Sequence, residues 1–285
     1  LLSRAMNPYD PGSTWKPVTA MAGMESGKFP PDTKLHTKAC ITYGGHCFPD
    51  HNGVGFGHIG YADALRFSSN TFFYQVGVGA GSKALKRAAD QLGFQQKTGI
   101  EIGWEESVGL VGDETWAAAG RGWAEPGTVP WIPEDMASAS IGQSVVQITP
   151  LQLARAYAVF ANGGWLVTPH LAQGTTDWLD ADHRRKVPMK ASTLATIRAG
   201  LRKVVSAGTG FGLNGPGIPT AAGKTGTAED STGGPDHAWF GSYAPYPNGE
   251  IVVVAFAQNT PGGGSVHALP MAKAVLAEWN RTRQE

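Results

Sequence analysis

The functions open to this chain of 285 residues are narrowed first by what it has little of. It has no surplus of charge: 23 Lys and Arg stand against 23 Asp and Glu, for a formal net charge of +0. No polycationic surface therefore points to nucleic acid, which is not expected as a partner, and no acidic tail suggests an interaction arm. No apolar run approaches the length needed to span a bilayer. The start, Leu1-Leu2-Ser3-Arg4, has neither an initiator Met nor a signal-peptide layout, so the chain is expected to be a fragment whose targeting or anchoring segment precedes residue 1. Cysteine is scarce: only Cys40 and Cys47 occur, with His46, Asp50, His51 and His58 nearby. That loop admits a local disulfide, free thiols or a metal site, and its spacing fits no standard metal signature, so no metal and no cofactor is assigned. Glycine and proline are plentiful, at 39 and 19 residues, without the Gly-x-y period of collagen. The length allows one large domain or two small ones, with ample residues for a core.

The chain is organised around Ser13-Thr14-Trp15-Lys16, the one place where a serine has lysine at the third position after it. A helix beginning at Gly12 or Ser13 puts both residues on one face, within reach of each other. Serine becomes a good nucleophile when a neighbouring base takes its proton, and a half-buried lysine at a helix N-terminus can have its pKa lowered enough to serve. The competing reading is a solvated helical pair, so the rest of the chain must decide.

Val18, Ala20, Met21 and Met24, closed by Gly27, continue an apolar helix behind Ser13. Residues 28–60 carry no sustained period and read as a long loop or short strands. Helical patterns over 61–65 and 71–76 are interrupted by Ser68-Ser69-Asn70, where Ser68 and Asn70 read equally as an ordinary N-cap or as site residues. Ser82 is expected to cap a helix carrying Leu85, Ala88, Ala89 and Leu92, and residues 98–133 read as irregular surface. Thr149-Pro150 opens a well-signalled helix with Leu151, Ala154, Tyr157, Ala158 and Ala161 as its expected buried stripe. A further helix starts near Ser192 and stops at Gly208. Beyond it, 220–229, 237–244 and 250–258 read as a three-strand antiparallel meander, with a last helix over 266–279. Helices first and a meander last predict one mixed α+β domain over 1–285, an antiparallel sheet flanked by helices.

The first of those strands contains Lys224-Thr225-Gly226-Thr227. A lysine and two hydroxyls on a strand lip suit a peptide carboxylate, with a glycine that lets a ligand backbone approach. The copy at Lys97-Thr98-Gly99 lies in irregular chain and reads as structural. A phosphate-binding loop is rejected, because it requires glycine where Ile218 stands.

Ser13-x-x-Lys16, Ser68-x-Asn70 and Lys224-Thr225-Gly226 resemble, in order and rough spacing, the motifs of the penicillin-binding protein and serine β-lactamase superfamily. The stretches YDPGSTWKPVTAMAGMESG, SSNTFFYQVG, ASIGQSVVQITPLQLARAYAVFANGG, AAGKTGTAE and HAWFGSYAP are similar to the transpeptidase domain of class B penicillin-binding proteins, above all the elongation type. The resemblance implies a D,D-transpeptidase that cross-links peptidoglycan stem peptides ending in D-Ala-D-Ala and is acylated by β-lactams. It implies that Ser13 is the nucleophile, Lys16 its base, Ser68 a proton relay and Lys224 the group that keeps them poised. Asn70, Thr225, Gly226 and Thr227 would hold substrate, and the backbone N–H groups of Ser13 and Thr227 would receive the oxyanion. It further implies a membrane-embedded glycosyltransferase as partner, an extracytoplasmic location, and sheet strands, a pedestal and an anchor preceding this chain. The Glu-x-x-x-Asn pattern of a class A β-lactamase is absent; a D,D-carboxypeptidase and a non-catalytic β-lactam-binding domain remain the alternatives.

Overall fold

The computed structural model describes residues 3–172, 183–229 and 233–283. Gly12–Trp15 form a 3-10 turn that runs into α1 (Lys16–Glu25), so the helix expected at Ser13 is present with a tightened first turn. Every residue of α1 from Lys16 to Met24 is buried, which makes it a core helix with no solvent face. Residues 28–60 take the short-strand form: β1 (Lys34–Thr37), β2 (Cys40–Tyr43), β3 (His46–Pro49) and β4 (Gly57–Gly60). β1 pairs with β4 and β2 with β3, both antiparallel. Cys40 and Cys47 form a disulfide that staples the β2–β3 hairpin. Closing so short a loop removes about 2–3 kcal/mol of chain entropy from the unfolded state.

α2 (Tyr61–Phe67) and α3 (Asn70–Ala80) flank the Ser68-Ser69-Asn70 break. In α4 (Ser82–Gln91) the expected cap is displaced: Gly81 holds the cap position and the Ser82 hydroxyl donates to Glu114. Residues 98–133 are largely irregular but include β5 (Leu110–Val111) and α5 (Glu114–Ala118), whose Val111 and Ala117 are buried. α6 (Pro133–Ser140) and β6 (Val146–Gln147) follow, β6 pairing with β5.

α7 (Pro150–Ala161) begins with the expected cap, as Thr149 Oγ1 accepts from the Gln152 N–H at 3.0 Å and Gln152 Oε1 accepts from the Thr149 N–H at 3.0 Å. Of the expected stripe Tyr157 and Ala161 are buried, beside Leu153, Ala156, Val159 and Phe160, whereas Leu151, Ala154 and Ala158 are only half-buried. An alanine-rich helix has two faces of similar apolarity, and the sheet that it meets chooses between them. β7 (Trp165–Val167) and β8 (Arg184–Lys186) form a ribbon before α8 (Ala191–Ala207).

The expected meander is present as β9 (Ala222–Ala228), β10 (His237–Ala244) and β11 (Ile251–Ala257), in the order β11-β10-β9. α9 (Gly263–Val266) and α10 (Ala268–Thr282) complete the chain's elements. Period-two alternation sends Ala238, Phe240, Val253 and Ala255 against Leu269, Ala272 and Leu276 of α10. On the other face, the space over Gly241 is filled by the ring of Tyr157 from α7. β11 has no second strand partner among the described residues, and an apolar groove of about 290 Å³ lies along it, lined by Val254, Phe256 and Met271.

The register places Lys224 opposite Gly241 and Gly226 opposite Trp239, so both point toward the helical core. Close backbone approach then seats the Ser13 turn on β9. Gly12 has φ +52°, and a Cβ there would lie 2.3 Å from the Thr227 carbonyl oxygen. A Cβ on Gly226 would meet the Thr14 methyl at 2.8 Å and the Pro11 oxygen at 3.0 Å. Replacement of Gly12 by alanine combines left-handed backbone with a collision against backbone. Gly27, with φ +77° and open space around it, is the matched control. We predict that Gly27→Ala costs about 1 kcal/mol and Gly12→Ala at least twice as much in urea unfolding; equal losses would contradict this seating.

Candidate active site

Three elements far apart in sequence converge on one hydroxyl. Lys16 at the start of α1 and Lys224 on β9 are both fully buried, and their amines bracket Ser68 between α2 and α3. Lys224 Nζ donates to Ser68 Oγ at 2.8 Å and to the Thr225 carbonyl at 2.9 Å. Lys16 Nζ lies 3.1 Å from Ser68 Oγ, 2.6 Å from the Ser68 carbonyl and 2.6 Å from Asn70 Oδ1. Ser68 itself has φ +58°, a left-handed conformation that glycine would adopt more cheaply. The turn so formed points both the carbonyl and the hydroxyl of Ser68 at Lys16. The neighbouring Ser69, and neither Ser68 nor Asn70, caps α3, its hydroxyl accepting from the Phe72 N–H at 3.3 Å.

Burial decides the charge state here. Desolvation brings the Lys16 amine down from 10.5 to about 7, with the negative charge of Asp50 opposing the shift. Lys224 is also held well below its ordinary value, first by burial and then by the charge of Lys16. A neutral Lys16 has two N–H bonds for the two carbonyl oxygens and a lone pair left to accept a proton. Ser68 Oγ, which accepts an N–H from Lys224 on one side and faces the Lys16 lone pair on the other, is arranged to pass a proton between the two amines.

Above this group opens a cleft of about 350 Å³, lined by Ser13, Ser68, Asn70, Thr225 and Thr227. His51 also lines it, its imidazole held below the ordinary value by burial and then by the charges of Lys16 and Lys224.

Comparison with known proteins matches this arrangement to a family. The sequence description of the penicillin binding protein transpeptidase domain fits residues 2–277. The chain belongs to the penicillin-binding protein transpeptidase family. It is 31% identical to the peptidoglycan D,D-transpeptidase MrdA of Haemophilus influenzae over 97% of its own length and 45% of the relative's. The chain thus spans under half the length of that relative. Its fold superposes on the crystal structure of Pseudomonas aeruginosa PBP2 in complex with WCK 5153 with a TM-score of 0.84, at 29% identity, covering 97% of this chain and 62% of that one. A chain from a peptidoglycan synthase complex that coordinates polymerization and crosslinking superposes with a TM-score of 0.82 at 34% identity, covering 97% of this chain and 47% of that one.

Within this family member the structure corrects three readings. Among the described residues Lys16 does not hydrogen-bond Ser13; its amine is committed to Ser68 and Asn70. Spacing along a helix permitted that contact, but the oxygens of Ser68 and Asn70 are nearer competitors. Lys224 is buried and does not sit on a strand lip, leaving Thr225 and Thr227 to face the cleft. Gly226 makes room for Thr14 and Pro11 of the chain itself, so the space beside it is not offered to a ligand.

Lys97-Thr98-Gly99 is structural, as expected: Lys97 Nζ donates to the Gly103 carbonyl at 2.8 Å and the Thr98 N–H to Glu106 at 2.8 Å. Several residues that line the cleft or support its threonines escaped sequence reasoning. Gln143 and Ser144 line it from the loop after α6, and Thr209 Oγ1 lies 2.7 Å from Thr225 Oγ1. Glycines 263 and 264 press on β9, where the Gly264 N–H reaches Thr227 Oγ1 at 3.4 Å. Only their fold neighbours give these residues meaning, apart from the Gly-rich run at 262–264, which was a visible signal of close approach.

The depressed Lys16 value is directly measurable. The side-chain carbon next to the Lys16 amine, followed by NMR, is expected to titrate near pH 7; a midpoint near 10.5 would contradict the burial argument. The unfolded chain binds this proton up to about 10.5 and the folded one only to about 7, so the Lys16 contribution makes stability rise with pH between those values.

Proposed function

We propose that residues 1–285 act as one transpeptidase domain, a serine-type peptidoglycan D,D-transpeptidase acylated at Ser13. The observation that carries the reading is the hydrogen-bonded series Lys16–Ser68–Lys224 beneath a half-buried serine that lines a cleft. The substrate is a stem peptide ending in D-Ala-D-Ala, its terminal carboxylate held by Thr225 and Thr227. Ser13 Oγ attacks the carbonyl carbon of the penultimate D-Ala as its proton moves to the Lys16 lone pair. One of the Lys16 hydrogen bonds must be exchanged for this, a tightening on substrate binding that is common in such sites. The Ser13 and Thr227 N–H groups receive the oxyanion, a role supported by the contact of Gly12 with the Thr227 backbone.

Collapse of the tetrahedral intermediate breaks the C–N bond, and Ser68 passes a proton to the departing D-Ala amine. An amine from a second stem peptide then attacks the ester, forming the cross-link and returning the proton to Ser13. A β-lactam opens on Ser13 in the same way and stays there. The extracytoplasmic face of the bacterial inner membrane is the location proposed with this substrate, supported by the Cys40–Cys47 disulfide. A membrane-embedded glycosyltransferase is the proposed partner, supported by the likeness to a chain of the peptidoglycan synthase complex.

Intact-mass measurement after incubation with a penicillin is expected to show one stable adduct on Ser13, absent from Ser13→Ala. An adduct elsewhere, none at all, or loss within seconds would overturn the reading. Ser68→Ala is expected to slow acylation by about 100-fold or more. The rate should rise with pH through about 7 as Lys16 loses its proton. With stem peptide and an acceptor amine, a cross-linked product is expected, and hydrolysis alone would indicate a carboxypeptidase.

A further inference from the structure

One buried carboxylate has no part in the steps above. Asp50 is 3% exposed and follows directly on β3, at the foot of the stapled hairpin. Its Oδ1 accepts from the backbone N–H of His51 at 2.7 Å and of Asn70 at 2.5 Å. Its Oδ2 accepts from Ser69 Oγ at 2.6 Å and from Thr71 Oγ1 at 2.5 Å. Three of the four donors are thus consecutive residues, Ser69, Asn70 and Thr71.

The first N–H groups of a helix have no partner within it; Ser69 Oγ satisfies that of Phe72 and Asp50 that of Asn70. Any neutral oxygen could accept from the Asn70 N–H, whereas a buried carboxylate is costly unless its hydrogen bonds are all made, and Asp50 makes them by taking the Ser69 and Thr71 hydroxyls as well. The same turn carries every oxygen that holds the Lys16 amine: the Ser68 carbonyl and hydroxyl and Asn70 Oδ1. The hairpin reinforces the attachment, since Asn70 Nδ2 donates to the Pro49 carbonyl at 3.3 Å and Thr71 Oγ1 lies 3.3 Å from the Lys38 carbonyl. Asp50 is placed in turn by its own N–H, which donates to the Ala39 carbonyl at 2.8 Å beside Cys40.

We propose that Asp50 is a positioning residue for acylation: held by the stapled hairpin, it fixes the Ser69-Asn70-Thr71 turn and thereby the oxygens of Ser68 and Asn70 around the Lys16 amine. The inference rests on the acylation reading for its kinetic consequence and on geometry alone for its effect on Lys16. Its negative charge also favours the protonated form of Lys16. The other charged or titratable groups around this cluster are Lys224 on β9, His51 after the hairpin, Tyr43 on β2, Tyr74 on α3 and Glu229 beyond β9.

The test compares Asp50→Asn with Asp50→Ala by penicillin acylation rate across pH, by thermal unfolding and by NMR titration of Lys16. The asparagine oxygen can keep both backbone N–H bonds while the Ser69 and Thr71 hydroxyls turn to accept from its amide. Asp50→Asn is therefore expected to fold normally, to acylate within about 10-fold of the parent, and to move the Lys16 midpoint and the acid limb of the rate together to lower pH. Asp50→Ala, measured on the folded fraction, is expected to lose about 100-fold in rate, the scale of a small misplacement of reacting groups. A folded Asp50→Ala that acylates at the parental rate overturns the inference, as does an unmoved Lys16 midpoint in Asp50→Asn. A parent chain that no penicillin acylates defeats the proposed function alone, and the Lys16 titration then decides the role of Asp50 by itself.

Discussion

The site depends on one arrangement: a serine hydroxyl held between two lysine amines, at 2.8 and 3.1 Å, with neither lysine exposed to water. Two solvated ammonium groups beside one hydroxyl would be ordinary surface chemistry. Burial changes that, because removing water penalises the charged form of each amine and favours a lone pair that can accept a proton. The fold can bury them because each has carbonyl or hydroxyl oxygens to satisfy its remaining protons. For Lys16 these are on the turn between α2 and α3, and for Lys224 they are Ser68 Oγ and the carbonyl of the residue after it.

Glycines bring the pieces together. The Ser13 turn lies so near β9 that Gly12 and Gly226 each meet the other segment where a side chain would be. Gly142 adds a third point, its carbonyl accepting from the Gly12 N–H at 2.9 Å. These contacts hold the half-buried, cleft-lining Ser13 near the buried amines without any hydrogen bond between Ser13 and Lys16. The stapled hairpin acts from the opposite side through Asp50, so the α2–α3 turn is gripped by α1, β9 and β3 together.

Much of the scaffold was readable in advance because its signals are local. The Thr149-Pro150 start, the Gly27 and Gly208 stops and the three strands of the meander follow from caps, breakers and period-two runs. The α7 stripe was only partly placed: Tyr157, which fills the space over Gly241, and Ala161 are buried as expected, but alanines on both sides of that helix are equally apolar, and Ala156 is buried where Ala154 and Ala158 are not. The Cys40 and Cys47 pairing was open because two cysteines seven residues apart specify no partner until β2 and β3 align.

For the site, the sequence by itself determined which groups are proposed to react: Ser13, Lys16, Ser68 and Lys224 stand in an order and spacing that a family resemblance can read. Their relations were decided by the tertiary structure alone. Lys16 turns to Ser68 and Asn70 and away from Ser13, Lys224 lies inside and not on the lip, and Gly226 yields its space to Thr14. Asp50 gains three of its four donors only when a hairpin and a helix start meet. Residue type and spacing fix what chemistry is available within a turn or a strand, whereas desolvation and competition among hydrogen-bond partners exist only after distant segments have packed.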